Sequence, residues 1–336
     1  TGSGDRWSGL VMESQYSNLF LDGTTILEAS PSITFGGGNL AVNDGFISRS
    51  SSSRPLIEVN EQDGGSFSLT NMQLTDASSS CIEIIESTIQ LQIFNVEFHA
   101  CNGPVIRAEN AHVVIENVII GGGSSDGFTL SSVNGSIEDV NALEFNGVGH
   151  IIKLNYINED LFIKNVVGIT GESPGITGAN NRALNLESIN LTGALGIDFD
   201  SSSGVLSDLK LAGYGYGTAL ISHHGRYSDT LSVHGLEISN YSVGIDLHAD
   251  GPDTTLPLML TNAVISASTS LSIENYPMVI NNATIAGNVE LSGAIKVHFF
   301  DSELSQEISL YNGASASFYQ TVKFTAKYLD IVKPTS

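Results

Sequence analysis

Val113-Val-Ile-Glu-Asn-Val-Ile-Ile120 decides the architecture: apolar residues alternate up to Asn117, and another apolar pair follows it. The same setting recurs at Asn71, Asn95, Asn117, Asn141 and Asn165, in steps of 24, 22, 24 and 24 residues, and again at Asn262 and Asn282. Ser188, Asp208, Gly235 and Asp301 fill the slot where Asn is missing. A repeat of this length is the mark of a solenoid. Each unit reads as a short strand ending near the Asn, a turn, a second strand such as Val118-Ile-Ile, a Gly/Ser-rich stretch, and a third strand such as Cys81-Ile-Glu-Ile or Val105-Ile-Arg-Ala. No stripe of helical period separates the strands, so the pattern predicts an all-β coil of about twelve rungs. Asn suits the corner because it tolerates the left-handed conformation, and stacked Asn side chains can bond to one another from rung to rung. We expect this ladder to face inward and to serve structure rather than chemistry.

Composition agrees with that coil. The 35 Gly supply turns, while hydrophobic residues at 41% and charged ones at only 15% allow a continuous core beneath an uncharged polar surface. A net charge of −23, from 13 basic and 36 acidic residues, excludes nucleic acid and anionic bilayer surfaces as partners. No apolar run is long enough to span a bilayer. Cys81 and Cys101 are out of line on adjacent rungs if the repeat is counted along the sequence, which predicts two semi-buried thiols rather than a bridge. Sequons at Asn134, Asn190, Asn240 and Asn282 suit a secreted chain, although an inward Asn282 would make the last one fortuitous. Trp7-Ser-Gly-Leu opens as though already a third strand, and Tyr328-Leu-Asp-Ile-Val-Lys reads as a linker or the start of a following domain. The expected division is thus a coil over 1–325 and a tail over 326–336, within a longer protein.

The rungs Ile93-Phe-Asn-Val-Glu-Phe and Val113-Val-Ile-Glu-Asn-Val-Ile-Ile, with the Trp7-Ser-Gly-Leu opening, resemble the parallel β-helix repeat of the pectate-lyase-like superfamily over about residues 8 to 325. The resemblance implies a right-handed parallel β-helix. It also implies an extracellular or cell-surface protein whose partner is a polysaccharide or surface glycan, though such a fold does not fix an activity. The catalytic segments of its enzymes are not intact. Arg54 is followed directly by Pro55 where pectate lyases carry Arg-x-Pro-x-x-Arg, and Gly149-His-Ile-Ile-Lys153 holds only scraps of the polygalacturonase Gly-His-Gly and Arg-Ile-Lys segments.

Such folds present ligands to the outer face of the third strand. Taking Ile57, Ile82, Ile106, Phe128, Ile152, Ile197, Leu220 and Ile245 as inward puts the next residue outward. That column runs Glu58, Glu83, Arg107, Thr129, Lys153, Asp198, Ile221, Asp246. The next outward column ends with Asp200, His223 and His248 on three consecutive rungs. A carboxylate and two imidazoles about 5 Å apart could hold a divalent ion or act as an oriented acid/base set, which makes these three the candidate catalytic residues, with Asp198 and Asp246 beside them. The plain alternative is a solvated polar face. Tyr214 and Tyr216 of Gly213-Tyr-Gly-Tyr-Gly217 offer flat faces to sugar rings and Arg226 offers a cation, unless the segment is simply a turn over a rung edge. Asp250 and Asp253 form an acidic turn that could lend oxygens to Ca²⁺, the one candidate cofactor, although their spacing is not that of a known calcium loop. Two functions remain open: a non-catalytic surface segment that binds glycan, and a polysaccharide lyase or glycoside hydrolase using the third-strand face.

Overall fold

Along Ser66–Ala77 side chains alternate between interior and surface until Asn71, where two successive residues face out before Met72 turns in again. A residue in the left-handed conformation causes this change of phase: φ is 53° at Asn71, 54° at Asn95 and Asn117, and 54° at Asn165. The bend lets positions −4, −2, +1 and +3 around the Asn all face the interior, so the first two strands of each turn form one strand bent in the middle. The computed structural model describes residues 9–12, 16–29, 31–50, 53–60, 64–85, 88–123, 125–145, 148–224, 231–250, 257–293 and 295–325. Among these there is no helix, and they build a parallel β-solenoid of about 12 turns. None therefore forms a helix long and apolar enough to cross a membrane. The chain divides into two units, Thr1–Gly171 and Glu172–Ser336. The expected boundary at 326 lies outside the described residues.

In the first unit a bent strand alternates with a four-residue strand: Ser66–Ala77 and Ile82–Ile85, Gln90–Cys101 and Ile106–Glu109, His112–Gly123 and Phe128–Ser131. Each pairs in parallel with its counterpart one turn on, so that Leu69, Ile93, Ile115, Ile137 and Ile163 stack in one interior line, none more than 1% exposed. Burial of each such side chain contributes about 1.5–3 kcal/mol, and the interior line repeats the gain on every turn.

Three expectations need correction here. The asparagine ladder is on the outside of the corner, where Asn71, Asn95 and Asn117 are exposed. Asn95 Nδ2 donates to Asn71 Oδ1 at 3.1 Å and Asn117 Nδ2 to Asn95 Oδ1 at 2.6 Å, so the ladder links turns while the apolar neighbours fill the core. Asn282 is likewise exposed, and the argument against its sequon falls away. Asn141 is not in the ladder. Asp139 takes the corner with φ 54° and accepts from Asn165 Nδ2 at 2.8 Å, because Ile137, Val140 and Ala142 supply its inward neighbours whereas Asn141 would place Asp139 in the core. Asp44, with φ 49° and a 2.8 Å bond from Asn71 Nδ2, begins the ladder one turn earlier.

The third correction concerns the cysteines: Cys81 and Cys101 form a disulfide, with Cα atoms 5.6 Å apart. Counting along the repeat misplaces them because the chain turns a corner between the bent strand and the third strand. Backbone bonds from Asn102 to Ala77 and from Gly103 to Ser79 stack one corner on the previous one. Both cysteines are buried, at 0% and 1% exposure.

The second unit keeps the corner while varying its occupant. Ser188, Asp208, Gly235, Asn262, Asn282 and Asp301 all have φ between 45° and 66°. Gly235 is needed twice over, since a Cβ there would also sit 2.6 Å from Asp208 Oδ1. Leu186, Leu206, Val233, Leu260, Ile280 and Phe299 form the interior line. From Leu231–Ala249 through Leu258–Glu274 to Met278–Ser292 the three strands of a turn run together without a break.

Candidate functional site

The third strands of the second unit stack with Ile176, Ile197, Leu220, Ile245 and Leu271 facing in. Ile176 is a rung that the sequence alignment skipped, so Thr177 rather than Lys153 is the neighbour of Asp198. Parallel pairing then fixes the outward residues. Asp198, Ile221 and Asp246 form one column, and Asp200, His223 and His248 form the next on consecutive turns. The column continues to Glu274, which a count carried one rung past His248 would have found.

Within this row the His223 and His248 rings lie 6.0 Å apart, edge to face at 62°. His248 Nδ1 is 3.1 Å from Glu274 Oε2. A carboxylate only accepts, so this bond assigns the proton to Nδ1 and leaves Nε2 of the neutral ring as an acceptor. Asp200 accepts a 2.9 Å bond from the hydroxyl of Ser201, the left-handed residue that ends its strand. The set is open: Asp200 and His223 are exposed, and the His248 and Glu274 side chains are 42% and 55% exposed. Charge is therefore screened by water here, and the face can exchange hydrogen bonds with a ligand more readily than it can stabilise a buried transition state.

The tyrosine loop is placed elsewhere. Tyr214 and Tyr216 precede the strand Thr218–His224, and the five steps from Thr218 to His223 carry the backbone roughly 17 Å along that strand. The loop is a turn laid over the next rung: Gly213 N and Gly215 N donate to Ser239 O and Asn240 O, and Asn240 Nδ2 returns a 2.8 Å bond to Gly213 O. Gly217, with φ 76°, admits no side chain, since a Cβ would meet Ala194 O at 1.9 Å. The two rings stand 6.4 Å apart at half exposure. Beneath them Tyr241 is buried, and burial, with Tyr214 adding to it, pushes its phenol pKa well up. Arg226 and Asp253 lie outside the described residues, and Asp250 is exposed. Among the described residues no three His, Cys, Asp or Glu side chains are grouped to hold a metal ion.

Two cavities lie away from this row. One of about 390 Å³ is in the first unit, at the corner after the third strand, and one of about 250 Å³ in the second is bounded by Asn282, Asp301 and Lys323 among others. Compared with protein-family models, curated proteins and solved structures, the chain matches none of them.

Proposed function

We propose that the chain is an extracellular or cell-surface segment, akin in its repeat to the pectate-lyase-like β-helices, that binds a polysaccharide or surface glycan without cleaving it. The observation that carries this reading is the row Asp200, His223, His248 and Glu274, strung in register along an exposed sheet instead of converging on one point. A row of acceptors and donors repeating at the rung spacing, roughly 4.8 Å, suits hydroxyls presented along an extended chain. The third strands of this unit carry no Lys or Arg among the described residues, which favours neutral glycans over uronates. The Cys81–Cys101 disulfide supports an oxidising compartment.

One observation favours a second reading, a polysaccharide lyase or glycoside hydrolase: Glu274 orients His248 as a carboxylate orients a general base. Reducing-end release and ultraviolet absorbance from unsaturated products, measured over neutral and acidic polysaccharides with Ca²⁺ or chelator, separate the two. We expect no cleavage, together with retention on at least one insoluble polysaccharide that the Asp200/His223/His248 triple-alanine variant loses. Cleavage by the parent but not by the variant would replace binding with catalysis.

A further inference from the structure

The corner after the third strand lines up Asn110, Ser132 and Tyr156 on consecutive turns of the first unit, with φ of 57°, 52° and 56°. Backbone bonds of 3.0 Å from Asn110 N to Ser131 O and from Ser132 N to Asn155 O hold the stack. Asn and Ser are at ease there. A tyrosine is not, because a bulky side chain in the left-handed region is strained. Nor is the residue drawn into the core, since Tyr156 is 56% exposed. The fold thus accounts for the conformation and leaves the residue unexplained. Strain of this kind, kept where glycine or asparagine would serve better, marks places where a side chain is held for a ligand.

Tyr156 borders the first unit's cavity, together with Asn110, His112, Asn134, Asn158 and Glu159. At about 390 Å³ it falls at the lower end of small-molecule sites, which run roughly from 300 to 1,000 Å³. Its polar wall is already ordered. Asn134 Nδ2 donates to the Glu159 carboxylate, which fixes the amide's orientation, and Asn134 Oδ1 therefore accepts from His112 Nδ1 at 2.7 Å. His112 presents Nε2 as an acceptor in the neutral ring, and the amides of Asn110 and Asn158 can both donate and accept. No Lys or Arg lines the cavity, and one carboxylate does, so an anionic ligand is disfavoured.

From this juxtaposition we infer that the notch is a separate saccharide site, taking one neutral pyranose unit with its C–H face on Tyr156 and its hydroxyls on the amides, His112 and Glu159. A flat amphipathic ring beside mixed donors and acceptors is the chemistry such a sugar requires. The inference does not depend on the second-unit face, and its test is made where that face is disabled. Protein from a bacterial host, carrying the Asp200/His223/His248 triple-alanine change, is titrated by calorimetry with gluco-, xylo-, manno- and galacto-tetraose, and with tetragalacturonate. We expect at least one neutral probe to bind. Tyr156→Phe should keep that affinity, and Tyr156→Gly should weaken it more than about fivefold while holding or raising Tm, because strain is relieved. A ring with a purely structural role would lower Tm on removal and leave affinity alone. Failure of every neutral probe, binding of the acidic probe alone, or a smaller loss in Tyr156→Gly would overturn the inference.

Discussion

The outer faces of the third strands differ between the two units although their strand geometry is alike. In the first, Arg107 lies between acids, with Nη1 3.2 Å from Glu83 Oε1 and Nη2 3.1 Å from Glu109 Oε1, and Arg54 pairs with Glu58. In the second, Asp198, Asp200, Asp246, Glu274 and Glu290 share the strands with imidazoles and no described Lys or Arg. The corner devices differ as well. The first unit adds a disulfide to a ladder of Asn and Asp, whereas Ser188, Asp208 and Gly235 interrupt the ladder in the second before Asn282 Nδ2 bonds to Asn262 Oδ1. The lesson is that the interior line and the left-handed corner suffice for the coil. What lies outside them is free to vary, and the charges on the third strands differ between the two units accordingly.

Four experiments can break or sharpen this contrast. The largest effect is expected from Cys81→Ser with Cys101→Ser, which should destabilise the first unit by about 2–4 kcal/mol. Hydrogen exchange should lose protection over residues 66–123 and keep it over 258–292; equal loss in both would show that the units unfold together. Next, alkali should weaken the second unit. Burial raises the pKa values of Tyr241 and Tyr276 above the ordinary value near 10, so the folded state keeps protons that the unfolded state releases. Stability is then full below pH about 10 and falls as pH rises beyond it, by up to about 1.4 kcal/mol per pH unit for each tyrosine. Calorimetry between pH 8 and 11 should show the decline, and Tyr241→Phe with Tyr276→Phe should flatten it.

Smaller effects concern the corners and the faces. Asn117→Ala should cost about 2 kcal/mol, combining a disfavoured conformation with lost ladder bonds, while Asn117→Gly should cost about half as much. Ser188→Ala, without an Asn ladder to break, should cost under about 1 kcal/mol, all three variants being compared by urea titration. The smallest change belongs to Arg107→Ala, under about 1 kcal/mol because the arginine, at 43% side-chain exposure, is still reached by water, and shrinking as salt rises. Salt should instead stabilise the second-unit face by screening its acids, and equal salt responses would erase the contrast between the units.

The coil was legible because its signal is local. Alternation and left-handed corner residues are written in every rung, and they were enough to anticipate a parallel solenoid of about 12 turns. The register of Asp200, His223 and His248 was legible for the same reason, since pairing in steps of whole turns follows from the inward Ile197, Leu220 and Ile245. What escaped depends on corners. Choosing Asn141 over Asp139 came from reading the residue type instead of demanding apolar neighbours at −4, −2, +1 and +3. The disulfide was hidden because separation along a repeat is not separation across a bend. Tyr156 gave no warning either: nothing in Leu154-Asn-Tyr-Ile announces a left-handed tyrosine until the third corner is seen to stack on Asn110 and Ser132.

The Cys81–Cys101 bridge has a mechanical consequence. A solenoid pulled from its ends can unreel turn by turn, because each turn is held only by its neighbours. The bridge spans a sequence separation of 20, so that length is locked in a covalent ring. Stretched out, it would reach roughly 70 Å, at about 3.5 Å per residue. Under tension this length stays hidden until a thiol or reductase opens the ring, and the chain shortens its reach by that amount wherever its surroundings keep sulfur oxidised.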